Sequence, residues 1–332
     1  MSGNILLLDP NKVDVLYAQI ESGLRQRGHQ VIRFFKMDDF HTNTRARETA
    51  DVIFALGLPI TREVMTSMPK LRAVMSPVTG TDGIDEAAAT ELGVIVGNGQ
   101  IPENYESMAE ATIMLILACL YDLRESEAIL RDDRPHPNPV GARMMKGKVL
   151  GLIGFGQIAR AMTRRLSGWD VQIQTYTPRL REPLPPEVKR VELDELLGTS
   201  DVVSVLCPLS PETRGMLGAD RLRLMKRGAI LVNTARGKIV DEAALYELTR
   251  TGHISRVAVD VFDVEPPPPN NILRQLPIRN AILTPHLVGH TAEVLQAVPV
   301  AAIESVERIM TGEPPLYVRN PQIISQWKQR WS

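Results

Sequence analysis

Two groups of residues in this 332-residue chain could do chemistry. The first is a loop of small residues. Gly154-Phe155-Gly156-Gln157-Ile158-Ala159 has the form G-x-G-x-x-A, with the apolar run 149–153 before it and a helical pattern from 157 to about 166 after it. Alone the match is weak. Between a strand and a helix it is specific: the first glycine permits a tight turn, the second lets backbone approach a pyrophosphate, and the small last residue keeps helix and strand close. Phosphates would sit on free amides at the helix N-terminus, where the dipole favours negative charge. The second group is Arg236, Glu265 and His286. Arginine offers a planar, permanently charged fork suited to a carboxylate. Histidine exchanges protons near neutrality, and glutamate supplies an acceptor. Singly, Arg236 reads as a surface loop residue, Glu265 as an exposed charge before a proline turn and His286 as a strand cap. Together, all three follow expected strand ends, where open parallel sheets bind ligands.

The elements that must position these groups alternate between strand and helix. Apolar runs at 5–8, 31–35, 52–55, 73–75 and 94–96 read as buried strands. Residues 12–27 carry Val15, Leu16, Ile20 and Leu24 near helical spacing, and Gly28 stops that helix. A second series has strands at 149–153, 171–176, 202–206, 230–233, 257–261 and 282–284, and a last helix at 292–310. Between the two series, Ser107 and Glu110 form a capping box expected to open an apolar helix reaching about residue 123, the crossover between domains. Residues 132–141 (DDRPHPNPVG) read as an extended connector. Strands spaced by helices imply parallel sheets covered on both faces, an α/β chain.

Composition narrows the function classes. With 38 basic and 39 acidic residues the formal net charge is -1, and like charges form no block, so no nucleic-acid or membrane footprint is expected. Cys119 and Cys207 are too few for a disulfide framework and lack metal-type spacing; no metal is expected. No charged and apolar leader is read at the amino end, and the most apolar stretch, 111–121, is shorter than the roughly 18 residues of a bilayer span. A reducing, cytoplasmic setting is expected.

Three segments carry a family resemblance. Asn233-Thr234-Ala235-Arg236-Gly237 runs on to Val240-Asp241, Ala258-Val259-Asp260-Val261-Phe262 to Glu265-Pro266, and Thr284-Pro285-His286 to Gly289 and Thr291. Gly80-Thr81-Asp82-Gly83-Ile84-Asp85, Met108-Ala109-Glu110 and residues 208–215 (PLSPETRG) fit the same pattern. With the upstream glycine loop, their order and spacing resemble the D-isomer-specific 2-hydroxyacid dehydrogenases over nearly the whole chain. The resemblance implies two Rossmann-like doubly wound domains with the active site in the cleft between them. A discontinuous substrate-binding domain would take residues 1–103 and 290–332, and a dinucleotide-binding domain 104–289. It further implies a homodimer built largely through the latter, and hydride transfer between NAD(P)H and a small 2-keto or 2-hydroxy acid of the glyoxylate or hydroxypyruvate type.

Residue roles follow from the same resemblance. Arg236 would hold the substrate carboxylate and polarise its carbonyl, His286 would give and take the proton, and Glu265 would orient the imidazole and favour its charged form. The carboxylate would also rest on amides of Val78, Thr79 and Gly80. Dinucleotide contacts are implied at Gly154, Gly156, Gln157, Ile158, Thr177, Arg179, Cys207, Pro208, Thr213, Thr234, Ala235, Asp260, His286 and Gly289, with Asp260 at the nicotinamide carboxamide. His290 reads as a helix-start residue or a substrate contact.

The chain departs from the family pattern in places. The connector lacks the Gly-x-Trp often found there, and within 332 residues no appended regulatory domain is expected. The acid expected about 20 residues after the glycine loop, which would hold the adenosine ribose, is missing. Tyr176-Thr177-Pro178-Arg179 stands there, with Arg181 beyond, and resembles the same stretch in NADPH-preferring glyoxylate/hydroxypyruvate reductases. Without the acid a 2′-phosphate is tolerated, and Arg179 can pair with it, so NADP is expected with NAD as the alternative. Two rival readings share the fold: a formate dehydrogenase, which carries Gln at the position of Glu265, and a non-catalytic nucleotide-sensing protein like the C-terminal-binding corepressors.

Overall fold

The computed structural model describes residues 2–10, 14–137, 139–180 and 182–331. They form two compact units, Met1–Asn104 with His290–Ser332, and Tyr105–Gly289.

In the first unit, strands β1 (Asn4–Leu8), β2 (Gln30–Phe34), β3 (Val52–Ala55), β4 (Ala73–Met75) and β5 (Ile95–Gly97) make a parallel sheet in the order β2-β1-β3-β4-β5. This is the second of the two common doubly wound orders, with its switch point between β1 and β3. Successive residues of β1 point to opposite faces. Ile5 and Leu7 join one core with Leu16, Tyr17, Ile20 and Leu24 of the helix Asp14–Gln26; Leu6 and Leu8 join another with Phe40, Met65 and Leu71. The helix Ala292–Met310 adds Val294, Val298, Val306 and Ile309 to the first of these cores. That apolar face is why the chain returns here after its long excursion.

The second unit carries β6 (Val149–Ile153), β7 (Gln172–Tyr176), β8 (Val188–Arg190), β9 (Val202–Val205), β10 (Ala229–Asn233), β11 (Ile254–Val259) and β12 (Ala281–Leu283). The order is β12-β11-β10-β9-β6-β7-β8, all parallel, and the chain reverses direction across the sheet at β6. This is the Rossmann order with one added edge strand. Both faces are covered, since Leu231 belongs to one core cluster while Ile230 and Val232 belong to the other.

The structure differs from the sequence expectation at four elements. The helix Ala292–Met310 is not the last: a short helix, Ile324–Trp331, follows it and buries Trp327 in the same core. The apolar helix runs Pro102–Leu120, so it starts five residues before Ser107. Proline suits the first helical turn because its missing N–H is needed by no partner there. Ser107 is interior to the helix, and its hydroxyl donates to the Gly289 carbonyl at 2.8 Å rather than capping anything. β8 was not anticipated: it is a three-residue edge strand whose Lys189 and Arg190 are exposed, so it has no apolar run to announce it. β11 ends at Val259, which puts Asp260 and Val261 beyond the strand.

Candidate active site

Three consecutive strand ends of the second unit lead to the three side chains expected to be catalytic. β10 ends at Asn233, which brackets the turn that follows. Its Oδ1 accepts the Ala235 N–H at 3.1 Å and its Nδ2 donates to the Arg236 carbonyl at 3.0 Å. A Cβ on Gly237 would lie 1.9 Å from the Phe262 carbonyl carbon, so only glycine lets the two loops pass. Arg236 is half-buried on this clamped turn, and its Nη1 donates to the Ala235 carbonyl at 2.6 Å.

Asp260 follows β11 and is 1% exposed. Its N–H donates to the Asn233 carbonyl at 3.0 Å, and its own carbonyl accepts the His286 N–H at 2.8 Å. Its Oδ1 accepts the Thr284 hydroxyl at 2.6 Å and the N–H groups of Leu287 and Val288 at 3.1 and 3.4 Å. These bonds hold His286 in the left-handed region, φ 56, a conformation costing a non-glycine residue roughly 1–2 kcal/mol. Positioning of the histidine loop by Asp260, and of the arginine turn by Asn233, was not visible in the sequence.

His286 meets Glu265 directly. Nδ1 lies 2.8 Å from Oε2, while Oε1 accepts the Phe262 N–H at 2.9 Å. Partial burial raises the Glu265 carboxyl. Hydrogen bonds from His286 and Phe262, with the charges of His286 and Arg236, outweigh that and hold it below the ordinary carboxylate range. A carboxylate acceptor at Nδ1 places the Nδ1 proton on the ring and leaves Nε2 as the atom that can exchange protons. The three expected catalytic residues therefore share one electrostatic neighbourhood.

The glycine loop lies at the end of β6, between β7 and β9, where the strand order reverses and doubly wound sheets take nucleotides. Gly154 has φ 100, its N–H donates to the Tyr176 carbonyl at 2.8 Å, and a Cβ on it would sit 2.9 Å from the Cys207 nitrogen. Gly156 opens the helix Gln157–Arg165, and a Cβ there would meet nothing within 4 Å. The space is open, and the amides of Gln157 and Ile158 lie in a first turn that has no helical acceptor. The cradle fits a pyrophosphate. Burial pushes the Cys207 thiol up to about 11, so it is neutral beside this loop.

The remaining expected contacts fall into two sets. Thr213 accepts the Ser210 N–H at 2.7 Å and donates to the Pro208 carbonyl at 2.8 Å, so it stitches its own turn. The Thr234 hydroxyl pairs with that of Thr112 at 3.1 Å. Gly289 is buried, and a Cβ on it would strike Met108 Sδ at 2.1 Å. These residues are engaged by their protein neighbours. Thr177 and Arg179 follow β7. Thr177 is buried with its hydroxyl donating to the Arg179 carbonyl at 3.2 Å, whereas Arg179 is exposed. The Glu212 carboxyl is held low by the Ser210 hydroxyl first, with Arg179 contributing. Arg181 lies outside the described residues.

In the first unit, Val78, Thr79 and Gly80 form a turn after β4. Among the described residues their N–H groups find no acceptor, while the Thr79 carbonyl takes Asn98 Nδ2 at 2.7 Å. Successive unpaired amides of this kind make an anion-binding concavity. His290 immediately precedes Thr291, whose hydroxyl caps the helix Ala292–Met310 by accepting the Val294 N–H at 3.4 Å.

Comparison with known proteins identifies a family. Residues 113–288 match the family described as D-isomer specific 2-hydroxyacid dehydrogenase, NAD binding domain. A glyoxylate reductase from Thermofilum pendens is 36% identical over 274 residues, covering 80% of this chain and 79% of that one. A hydroxypyruvate reductase from Thermotoga maritima is 33% identical over 247 residues, 74% and 80% of the two chains. Among solved structures, the NAD-dependent formate dehydrogenase from Staphylococcus aureus in complex with NAD is similar at 29% identity and a TM-score of 0.77, covering 93% of this chain and 96% of that one.

Proposed function

The chain belongs to the D-isomer-specific 2-hydroxyacid dehydrogenase family, and from that premise we propose that it reduces a small 2-keto acid of the glyoxylate or hydroxypyruvate type, using a nicotinamide dinucleotide. The observation that carries this is the 2.8 Å contact between His286 Nδ1 and Glu265 Oε2, with the Arg236 charge acting on the same carboxylate.

When bound, the dinucleotide supplies the hydride. Arg236 holds the acid's carboxylate in a bidentate fork and draws electron density from its carbonyl. His286 delivers the Nε2 proton to the carbonyl oxygen as negative charge develops there, and takes it back in the reverse direction. Glu265, kept ionised, grips Nδ1 so that the exchangeable proton stays on Nε2. The open amides of residues 78–80 are a second seat for the carboxylate.

A formate dehydrogenase fits less well, because formate oxidation gives no proton to a base and leaves the Glu265 carboxylate without a task. The sensor reading is separated by assay. NADPH and NADH oxidation is followed by absorbance with glyoxylate and with hydroxypyruvate. Turnover supports the enzyme; tight dinucleotide binding with no turnover of any small 2-keto acid overturns it.

The preferred dinucleotide is proposed to be NADPH, with NADH also accepted. Thr177 removes the negative charge that would oppose a 2′-phosphate, and the exposed Arg179 is available to it. A charge-assisted hydrogen bond contributes about 1.5–3 kcal/mol, tenfold or more in preference. Solvent screening and the neighbouring Glu212 reduce that figure. The check is kcat/KM for both cofactors in wild type and Arg179→Ala. Equal values in wild type, or a preference untouched by the substitution, refute the role of Arg179.

A homodimer built through the second unit is supported by exposed apolar side chains between residues 114 and 144. They include Met114, Tyr121, Leu123, Val140, Met144 and Leu130, the last 84% exposed. Light scattering on wild type and Leu130→Glu tests it: a mass near 36.8 kDa for wild type refutes it. No described helix is long and apolar enough to cross a membrane. The free thiols of Cys119 and Cys207 support a reducing, cytoplasmic setting.

A further inference from the structure

The turn at residues 78–80 has its carbonyls engaged and its amides open. Val78 O accepts the Gly99 N–H at 2.9 Å, Thr79 O accepts Asn98 Nδ2 at 2.7 Å, and Gly80 O accepts the Ser76 hydroxyl at 2.5 Å. In a planar trans peptide the C=O and the following N–H point in opposite directions. Each bond to a carbonyl therefore aims the next amide the other way. The Gly99 N–H orients the Thr79 amide, and Asn98 orients the Gly80 amide.

Asn98 is the long-range side chain in this arrangement. It is 4% exposed, follows β5, and is anchored independently of the turn by its own N–H, which donates to the Tyr317 carbonyl at 3.2 Å. Gly99, whose Cβ would lie 2.1 Å from the Pro77 carbonyl oxygen, lets the two segments run this close. Asn98 Oδ1 is buried and accepts no hydrogen bond among the described residues. Only the amide nitrogen does the holding.

We infer that Asn98 is a positioning residue that sets the Gly80 amide of this turn to receive the substrate carboxylate; the inference rests on the reading of that turn as the carboxylate seat. The test is Asn98→Asp. Aspartate keeps the shape but sets an acceptor against Thr79 O, so the peptide must rotate. The KM for glyoxylate and the inhibition constant for oxamate, a 2-keto acid isostere, should rise about tenfold or more. The KM for NAD(P)H, and kcat at saturating glyoxylate, should stay within about twofold. The ratio of variant to wild-type glyoxylate KM should shrink as pH falls, because a protonated, buried aspartic acid can donate to Thr79 O again. A merely structural role would not produce that recovery. Asn98→Ala, measured the same way without the pH series, serves if the aspartate variant does not fold. An unchanged glyoxylate KM, or an equal rise in both KM values, overturns the inference. Gly80→Pro, which removes the open amide that Asn98 orients, separates the two levels. If it leaves glyoxylate KM unchanged, the carboxylate seat itself is wrong. If it raises KM while the Asn98 variants do not, only the positioning role falls.

Discussion

Glu265→Gln probes the dyad most directly. Glutamine keeps the length of the side chain, and its Oε1 can still accept the Phe262 N–H, a bond of 2.9 Å in the wild type. Its Nε2 then points at His286 Nδ1, which stands 2.8 Å from Glu265 Oε2. An amide donor there turns Nδ1 into an acceptor and favours the neutral ring, so the imidazolium that must give up the Nε2 proton loses its counter-charge. A hydrogen bond between charged groups contributes about 1.5–3 kcal/mol. His286 and Glu265 side chains are 45% and 36% exposed, so screening favours the lower end. That is a loss of about tenfold in kcat/KM from the bond alone. General-acid function contributes roughly 100-fold or more, so the fall should be at least about tenfold. The assay is steady-state reduction of glyoxylate and hydroxypyruvate, with dinucleotide affinity measured separately by fluorescence. Affinity should not change. Wild-type kcat/KM in the Gln variant would refute the assignment of Glu265. The wild-type carboxyl also sets a pH expectation. Its folded value is lowered, so its contribution is present above the ordinary glutamate range and is lost as pH falls through the lowered folded value. Dyad-dependent activity and stability should persist to more acidic pH than an unperturbed glutamate would allow, and a loss centred on the ordinary range, about 4.3, would contradict it.

His286→Ala should lower kcat by about 100-fold or more while dinucleotide binding survives; full turnover at saturating keto acid would remove His286 as the proton donor. Arg236→Lys keeps the charge and loses the planar fork, so kcat/KM should fall about tenfold or more, and an unchanged value would show that Arg236 does not hold the substrate. Gly237→Ala drives a Cβ to 1.9 Å from the Phe262 carbonyl carbon, so backbone must move on both loops. Thermal unfolding should show a loss of at least about 2 kcal/mol together with impaired turnover, and a wild-type Tm would show that the close approach is dispensable.

Much of this architecture was legible because it rests on local patterns. Residues 149–159 carry strand, turn glycines and helix start within eleven positions, and the structure puts Gly154 in a positive-φ turn and Gly156 beside open space. Arg236, Glu265 and His286 each lie in a segment that carries the family resemblance, and all three follow apolar runs, where parallel sheets collect ligands; singly, each would read as a surface or capping residue. Elements without a strong pattern were missed or misplaced. β8 has one buried residue in three, and Ser107 matched a capping box although Pro102 had already begun the helix.

The sequence by itself determined the alternation of strands and helices, the glycine loop and the candidate catalytic side chains, since these follow from patterns within short segments. Tertiary structure alone decided how those side chains are held. Asp260 reaches Thr284, Leu287 and Val288, Asn98 reaches Thr79, and His286 meets Glu265 across 21 residues of chain. Such contacts depend on strand order and on where each loop leaves its sheet. A hydrogen bond lasts only when both partners are brought within about 3 Å, and no local pattern encodes that distance between segments far apart in sequence.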